Sequence, residues 1–269
     1  MSKKILTPIF IFSILFSIVS LTVKAQEVNN NLDSAAQIKQ EKKIAVYKNI
    51  IKVNLIAILL KNYAFQYERV INRKFSFAIQ YRTMPTTGLP FKSAILKAVG
   101  DDPDTKKTIG DLQLSNYAIT PEIRFYVSKK GYGRGFYIAP FYRYASFTTN
   151  QVNIFYDDDA GNQASMKLSG KVTANTGGIL FGVQHGWGKH IVIDSWILGP
   201  HYGSGKGDFR GVSSKPLSQK EQDDIRDQIN SIDIPVIKKT VDVNANGASV
   251  KLDGPWGGFR VGLSLGYKF

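Results

Sequence analysis

Gly258–Phe269 reads GFRVGLSLGYKF. Phe259, Val261, Leu263, Leu265, Tyr267 and Phe269 alternate without a break with Arg260, Gly262, Ser264, Gly266 and Lys268. A period of two is the mark of a strand whose two faces meet different surroundings. One face here is wholly apolar, and the other carries small residues between two cations.

The same two-faced pattern recurs upstream. In IIKVNLIAILL, about 50–60, Val53, Leu55, Ala57 and Leu59 oppose Lys52 and Asn54. Tyr63, Phe65 and Tyr67 alternate with Ala64, Gln66 and Glu68, and Phe75, Phe77, Ile79 and Tyr81 with Ser76, Ala78, Gln80 and Arg82. A fourth strand is expected over about 111–127, with Tyr117, Ile119, Pro121, Ile123, Phe125 and Val127 on one face and Glu122 and Arg124 on the other. Further strands are expected near 135–155, 163–186 and 189–203, with GFRVGLSLGYKF as the eighth. Short turns fall near 72, 131 and 188, and longer loops at 84–110, 157–162 and 203–249. The first long loop contains a possible short helix in PFKSAILKAV. In the last, SQKE (Ser218–Glu221) has capping-box spacing and predicts a helix over about 219–229.

Short turns on one side and long loops on the other describe an up-and-down barrel of the outer-membrane kind. The expected fold is all-β: an antiparallel, up-and-down transmembrane β-barrel of about eight strands with a short helix in a long extracellular loop. Periodicity alone does not say which face is outside, because a soluble barrel would hide the apolar one. Three features favour lipid outside. Both signs of charge sit at mid-strand on the polar faces, as Lys52, Glu68, Arg82, Glu122, Arg124, Arg143, Asp194 and Arg260, and these form an expected lumen network. Small residues share those faces. Tyr63, Tyr81, Tyr144, Trp187, Tyr267 and Phe269 lie near strand ends, where aromatic girdles sit.

The chain has 269 residues, no cysteine and a formal charge of +14. Disulfide and thiolate chemistry are excluded. Lys3 and Lys4 precede an apolar run from Ile9 to Leu21, and Ala25 offers a cleavage point, so residues 1–25 read as a secretory signal peptide. Residues 26–49 are then a polar periplasmic lead-in, and 50–269 the barrel. Loss of Lys3, Lys4 and Lys24 would take the charge from +14 to +11. An exported chain meets no nucleic acid, so this excess points to anionic lipid, lipopolysaccharide or surface polysaccharide, or simply to a solvated surface.

The signal peptide, the alternating strands, the one-sided long loops and VGLSLGYKF together resemble the small outer-membrane β-barrels of the OmpA, OmpX and OmpW type. KVNLIAILLKNYAFQYERVINRKFSFAIQYR also resembles the opening of a domain-of-unknown-function family of such barrels, through Asn54, Leu55, Leu59, Tyr63, Gln66, Tyr67, Glu68 and Arg69. The resemblance covers about residues 50–269. It implies an outer-membrane location and assembly by the barrel-assembly machinery and periplasmic chaperones, with Leu263, Leu265, Tyr267 and Phe269 matching the assembly signal. It implies no activity.

No catalytic, cofactor or metal site is expected. His201 has Ser204 and Asp208 nearby, but a strand residue three positions on faces the other way, which disfavours a lipid hydrolase. Asp101, Asp102 and Asp104, and Asp157, Asp158 and Asp159, could offer oxygens to Ca²⁺ but read better as solvated loop tips. GSGKGDFRG lacks phosphate-loop spacing. The expected function is therefore a monomeric, non-enzymatic barrel with a structural or surface-interaction role. The alternatives are a narrow pore or carrier, a lipid-modifying enzyme, and a soluble lipocalin-like binder.

Overall fold

The computed structural model describes residues 47–98, 103–129, 131–232 and 236–269. The expected signal peptide, and the lead-in up to residue 46, lie outside them. Among the described residues nine strands make one antiparallel sheet: β1 (Asn49–Asn54), β2 (Tyr63–Val70), β3 (Phe75–Gly88), β4 (Gln113–Tyr126), β5 (Gly135–Asp157), β6 (Gln163–Trp187), β7 (Ile191–Val212), β8 (Lys238–Asn244) and β9 (Gly247–Lys268). Each of β1 to β7 pairs with the next, β7 pairs with β9, and β9 returns to β1, so the sheet closes in a ring. The backbone N–H of Phe269 donates to the carbonyl of Asn49 at the seam, and that of Asn49 donates back.

β8 corrects the expected strand inventory. The segment 203–249 is not a long loop. β7 continues to Val212, a helix follows, and β8 then pairs with the first part of β9, from Lys238 opposite Asp253 to Asn244 opposite Gly247. At the other end of β9, β1 takes the same edge, from Asn54 opposite Ser264 to Ile50 opposite Lys268. GSGKGDFRG is the far half of β7 and no loop at all.

The first strand is also shorter than its apolar run suggests. It stops at Asn54, whose side chain accepts from the N–H of Ala57 and caps a single helical turn, α1 (Leu55–Leu59). LIAILL is continuously apolar and does not alternate, so nothing in it demanded a strand. Leu55, Ile58 and Leu59 remain exposed. The loop after β3 carries two helices where one was expected, α2 (Lys92–Ala98) and α3 (Pro103–Asp111). Ile109 of α3 packs with Met84, Leu89, Leu112 and Leu114 in a small apolar cluster at that end.

The helix expected over 219–229 is α4 (Gln219–Ser231), and its capping box is present. It is not a free surface loop. Ile225 and Ile229 are buried with Ile154, Tyr156, Met166, Leu168, Val243, Val250 and Leu252. α4 thus plugs the far ends of β5, β6, β8 and β9, where β1 to β4 do not reach.

The polarity of the sheet inverts along the strands. Near the short turns the outer face is apolar: Phe65, Phe77, Ile79, Ile119, Ile123, Phe136, Ile179, Phe259, Val261, Leu263 and Leu265 are exposed, while Lys52, Glu68, Glu122, Arg124 and Asp194 are buried. At the far end the inside holds the apolar cluster around α4, and the outer face carries Lys167, Ser169, Lys171, Lys206, Asp208, Arg210 and Lys251. Tyrosines mark the border. Tyr63, Tyr81, Tyr117, Tyr142, Tyr144 and Tyr202 stand on the outer face where the apolar belt ends, and the rings of Tyr117 and Tyr144 lie 6.0 Å apart.

Candidate functional site: the charged interior

Alternation places the even-numbered residues of β1 to β4 inside the ring. On β5 the parity is odd, because the turn over 127–134 shifts it, and Arg143 also points inward. The interior side chains nearest the short turns form one bonded network. Lys52 Nζ contacts Glu68, donates to Gln184, and reaches Asp194 Oδ2 at 2.8 Å. Arg124 Nη1 donates to Asp194 Oδ2 at 2.7 Å and to Glu68 Oε2 at 3.1 Å. Arg124 Nε donates to Glu122 Oε1 at 2.7 Å, and Arg260 Nη1 donates to Glu122 Oε2 at 3.0 Å.

Neutral groups fill the remaining positions on each carboxylate. Ser76 Oγ and Tyr126 Oη donate to Glu68 Oε1 at 2.6 and 2.7 Å. Tyr137 Oη donates to Asp194 Oδ1 at 2.8 Å, and the Trp196 indole N–H donates to Oδ2 at 3.2 Å. Gln66 bridges Arg124 and Glu122, and Gln80 accepts from Arg260. Buried charge survives only with such multiple partners, because an ion removed from water recovers its hydration energy only through good geometry. Aromatic faces add to this: Arg124 lies 4.4 Å over Tyr137, and Arg260 lies 4.4 Å from Phe141 and 4.7 Å from Trp196.

Glycines make room for these long side chains. A Cβ on Gly182 would stand 2.4 Å from the Tyr137 ring, and one on Gly266 would stand 2.8 Å from the Lys52 stem. The charged residues expected in the lumen are thus divided. Lys52, Glu68, Glu122, Arg124, Asp194 and Arg260 join one network of three cations and three acids. Arg82 and Arg143 lie one step nearer the loop end. Gln66, Gln80, Tyr126, Tyr137, Gln184 and Trp196 complete the network and were missed by a search for charges. Their strand parity was the available signal, since each occupies an inward position.

His201 stands inside the ring. β7 bulges between Trp196 and Gly199, leaving Ile197 and Leu198 both exposed, and the parity reverses beyond them. His201 is therefore buried, while Ser204 and Asp208 are exposed on the outer face. The three cannot act together. The acidic tip at 157–159 is occupied by its own turn. Asp158 accepts from the N–H groups of Ala160 and Asn162, which hold its pKa below the usual carboxylate value, and Asp159 accepts from Ser218 Oγ at 2.7 Å. Asp101 and Asp102 lie outside the described residues. Among the described residues no cluster of three His, Asp or Glu side chains could hold a metal ion, and no helix is long and apolar enough to cross a membrane.

No known protein family, curated protein or solved structure matches the chain.

Proposed function

We propose that the protein is an integral outer-membrane β-barrel with a structural or surface-interaction role and no enzymatic activity. The polarity inversion carries this reading. One solvent cannot account for strands that are apolar outside and charged inside at one end, and charged outside and apolar inside at the other. Lipid around the first part and water around the second account for both. The outer apolar run of β4 extends from Tyr117 to Phe125 and on to Val127 just past the strand, which matches the roughly 9–11 residues a tilted strand needs to cross. Eight strands, β1–β7 and β9, would cross. The tyrosine row would lie at the outer headgroup level, and α1 would continue the apolar surface where β1 stops.

Lys171 and Lys206 stand beyond that row on the outer face, with Lys251 farther out, suited to the anionic phosphates of lipopolysaccharide. The short turns, with Asn49 and Phe269 at the seam, would face the periplasm. The part built on α4 and β8 would project from the cell as a packed body that offers a defined surface. The bonded interior, filled across its width by side chains, favours a closed barrel over a pore. Fractionation followed by a heat-shift gel tests the reading. The folded protein should sediment with outer membranes and migrate differently before and after boiling, whereas recovery in the soluble fraction would refute it.

A further inference from the structure

Above the charge-balanced lower interior, Arg143 stands without a carboxylate partner among the described residues. Arg143 is 5% exposed, and its Nη1 donates to Thr120 Oγ1 at 3.2 Å. Among the described residues its Nη2 has no hydrogen-bond partner, and no carboxylate lies within ion-pair distance of it. Arg82 and Arg260 stand within Coulombic range of it, and all three arginines act on His201. His201 is 8% exposed, and among the described residues neither its ring nitrogens nor Arg260 Nε has a hydrogen-bond partner. The Phe141 ring links them, 6.0 Å from the His201 ring and 4.4 Å from the Arg260 guanidinium.

The surroundings leave these donors free of competition. One inward step toward the loop end, Ala118, Ala145, Ala174 and Gly205 are consecutive register partners across β4, β5, β6 and β7. None of these four residues offers a side-chain acceptor; Arg82 is the next partner beyond Ala118, and the Trp256 indole packs over Gly205. The Trp256 ring also meets Phe147, at 5.5 Å. Clustered buried cations with unused donors are costly unless an anion is supplied. Guanidinium forks match tetrahedral oxyanions, and neutral imidazole adds a donor.

We infer that Arg143, Arg260 and His201, with Arg82 beside them, form a binding site for a small oxyanion of the phosphate or sulfate class. The site lies inside the ring and does not depend on the medium outside it. The test uses the full folded protein in a maltoside detergent free of phosphate. Its unfolding temperature is followed against inorganic phosphate, sulfate and chloride at constant ionic strength. Phosphate and sulfate should raise it saturably, and chloride should not.

Arg143→Gln should abolish the rise while unfolding no earlier than wild type without anion, because a charge lacking a counter-ion has been removed. Arg210→Gln, on the outer face, should keep the full response. Thr176 is the register partner of Arg143, so Thr176→Glu supplies an internal carboxylate. It should stabilise the protein and abolish the response even if Arg143→Gln fails to fold. In phosphatidylcholine vesicles a free anion still shifts the transition, whereas headgroup phosphate would saturate the site in advance and separate wild type from Arg143→Gln with nothing added. The absence of a saturable rise in detergent, or an equal rise in wild type and Thr176→Glu, overturns the site.

Discussion

Lys52 and Asp194 are 142 residues apart in sequence, and their side chains meet at 2.8 Å inside the ring. One stands on β1 and the other on β7, the two strands that flank β9. The ion pair therefore spans the last strand from beneath and ties both of its neighbours together where the ring closes. Arg124, from the opposite wall, shares the same Asp194 oxygen.

Glu68 is the acid with most to lose. Its removal leaves Lys52, Arg124, Ser76 and Tyr126 without their shared acceptor. Glu68→Ala is expected to cost about 3–5 kcal/mol, the range for breaking a buried pair from one side. The check is the urea midpoint of protein folded in vesicles, where an unchanged midpoint would contradict the network.

Gly182 tests the packing of the same layer. Gly182→Val drives a branched side chain into the Tyr137 ring and so displaces the hydroxyl bonded to Asp194. Overpacking of this kind costs about 1–3 kcal/mol. Trp196 donates to the same carboxylate, so its fluorescence should shift along with the loss of stability. A stable variant with an unchanged emission spectrum would count against the contact.

The outer face gives the sharpest contrast. Ile123→Arg puts a charge in the middle of the apolar belt, at an expected cost of about 2–4 kcal/mol if that belt meets lipid. Ser169→Arg, on the outer face of the far half of β6, should be neutral. The measurement is the yield of heat-shifted species after folding into vesicles. Equal yields from both variants would place the belt in water.

The far part of the molecule should loosen independently. Ile225 is fully buried on the inner face of α4, and Ile225→Ala is expected to cost about 2–5 kcal/mol locally. Ser218→Ala, which removes the N-cap, should cost about 0.5–2 kcal/mol. Limited proteolysis would then cut within 213–232 while the heat-shifted ring persists. Protection equal to wild type would mean that α4 does not depend on that core.

Most of the ring was legible in the sequence because strict alternation leaves little freedom. Phe75–Tyr81 and Phe259–Phe269 each have one face that tolerates only apolar surroundings, and a one-residue slip would expose the other. Glu68, Glu122 and Asp194 were readable as interior groups for the same reason. α1 was not legible, because LIAILL offers no alternation and the choice fell to the cap made by Asn54. β8 was hidden by its composition: KKTVDVN is mostly polar, and it becomes a strand only because β9 offers an unpaired edge beyond β1.

The sequence by itself determined the two-faced strands, their turns and the inventory of charges, since these follow from local spacing and side-chain chemistry. The tertiary structure alone decided which charge meets which, since partners such as Lys52 and Asp194 depend on ring closure and strand stagger. It also decided on which side His201 stands. One extra residue at the Ile197–Leu198 bulge reverses the parity of all that follows in β7, and a bulge is set by how neighbouring strands must fit rather than by the residues within it.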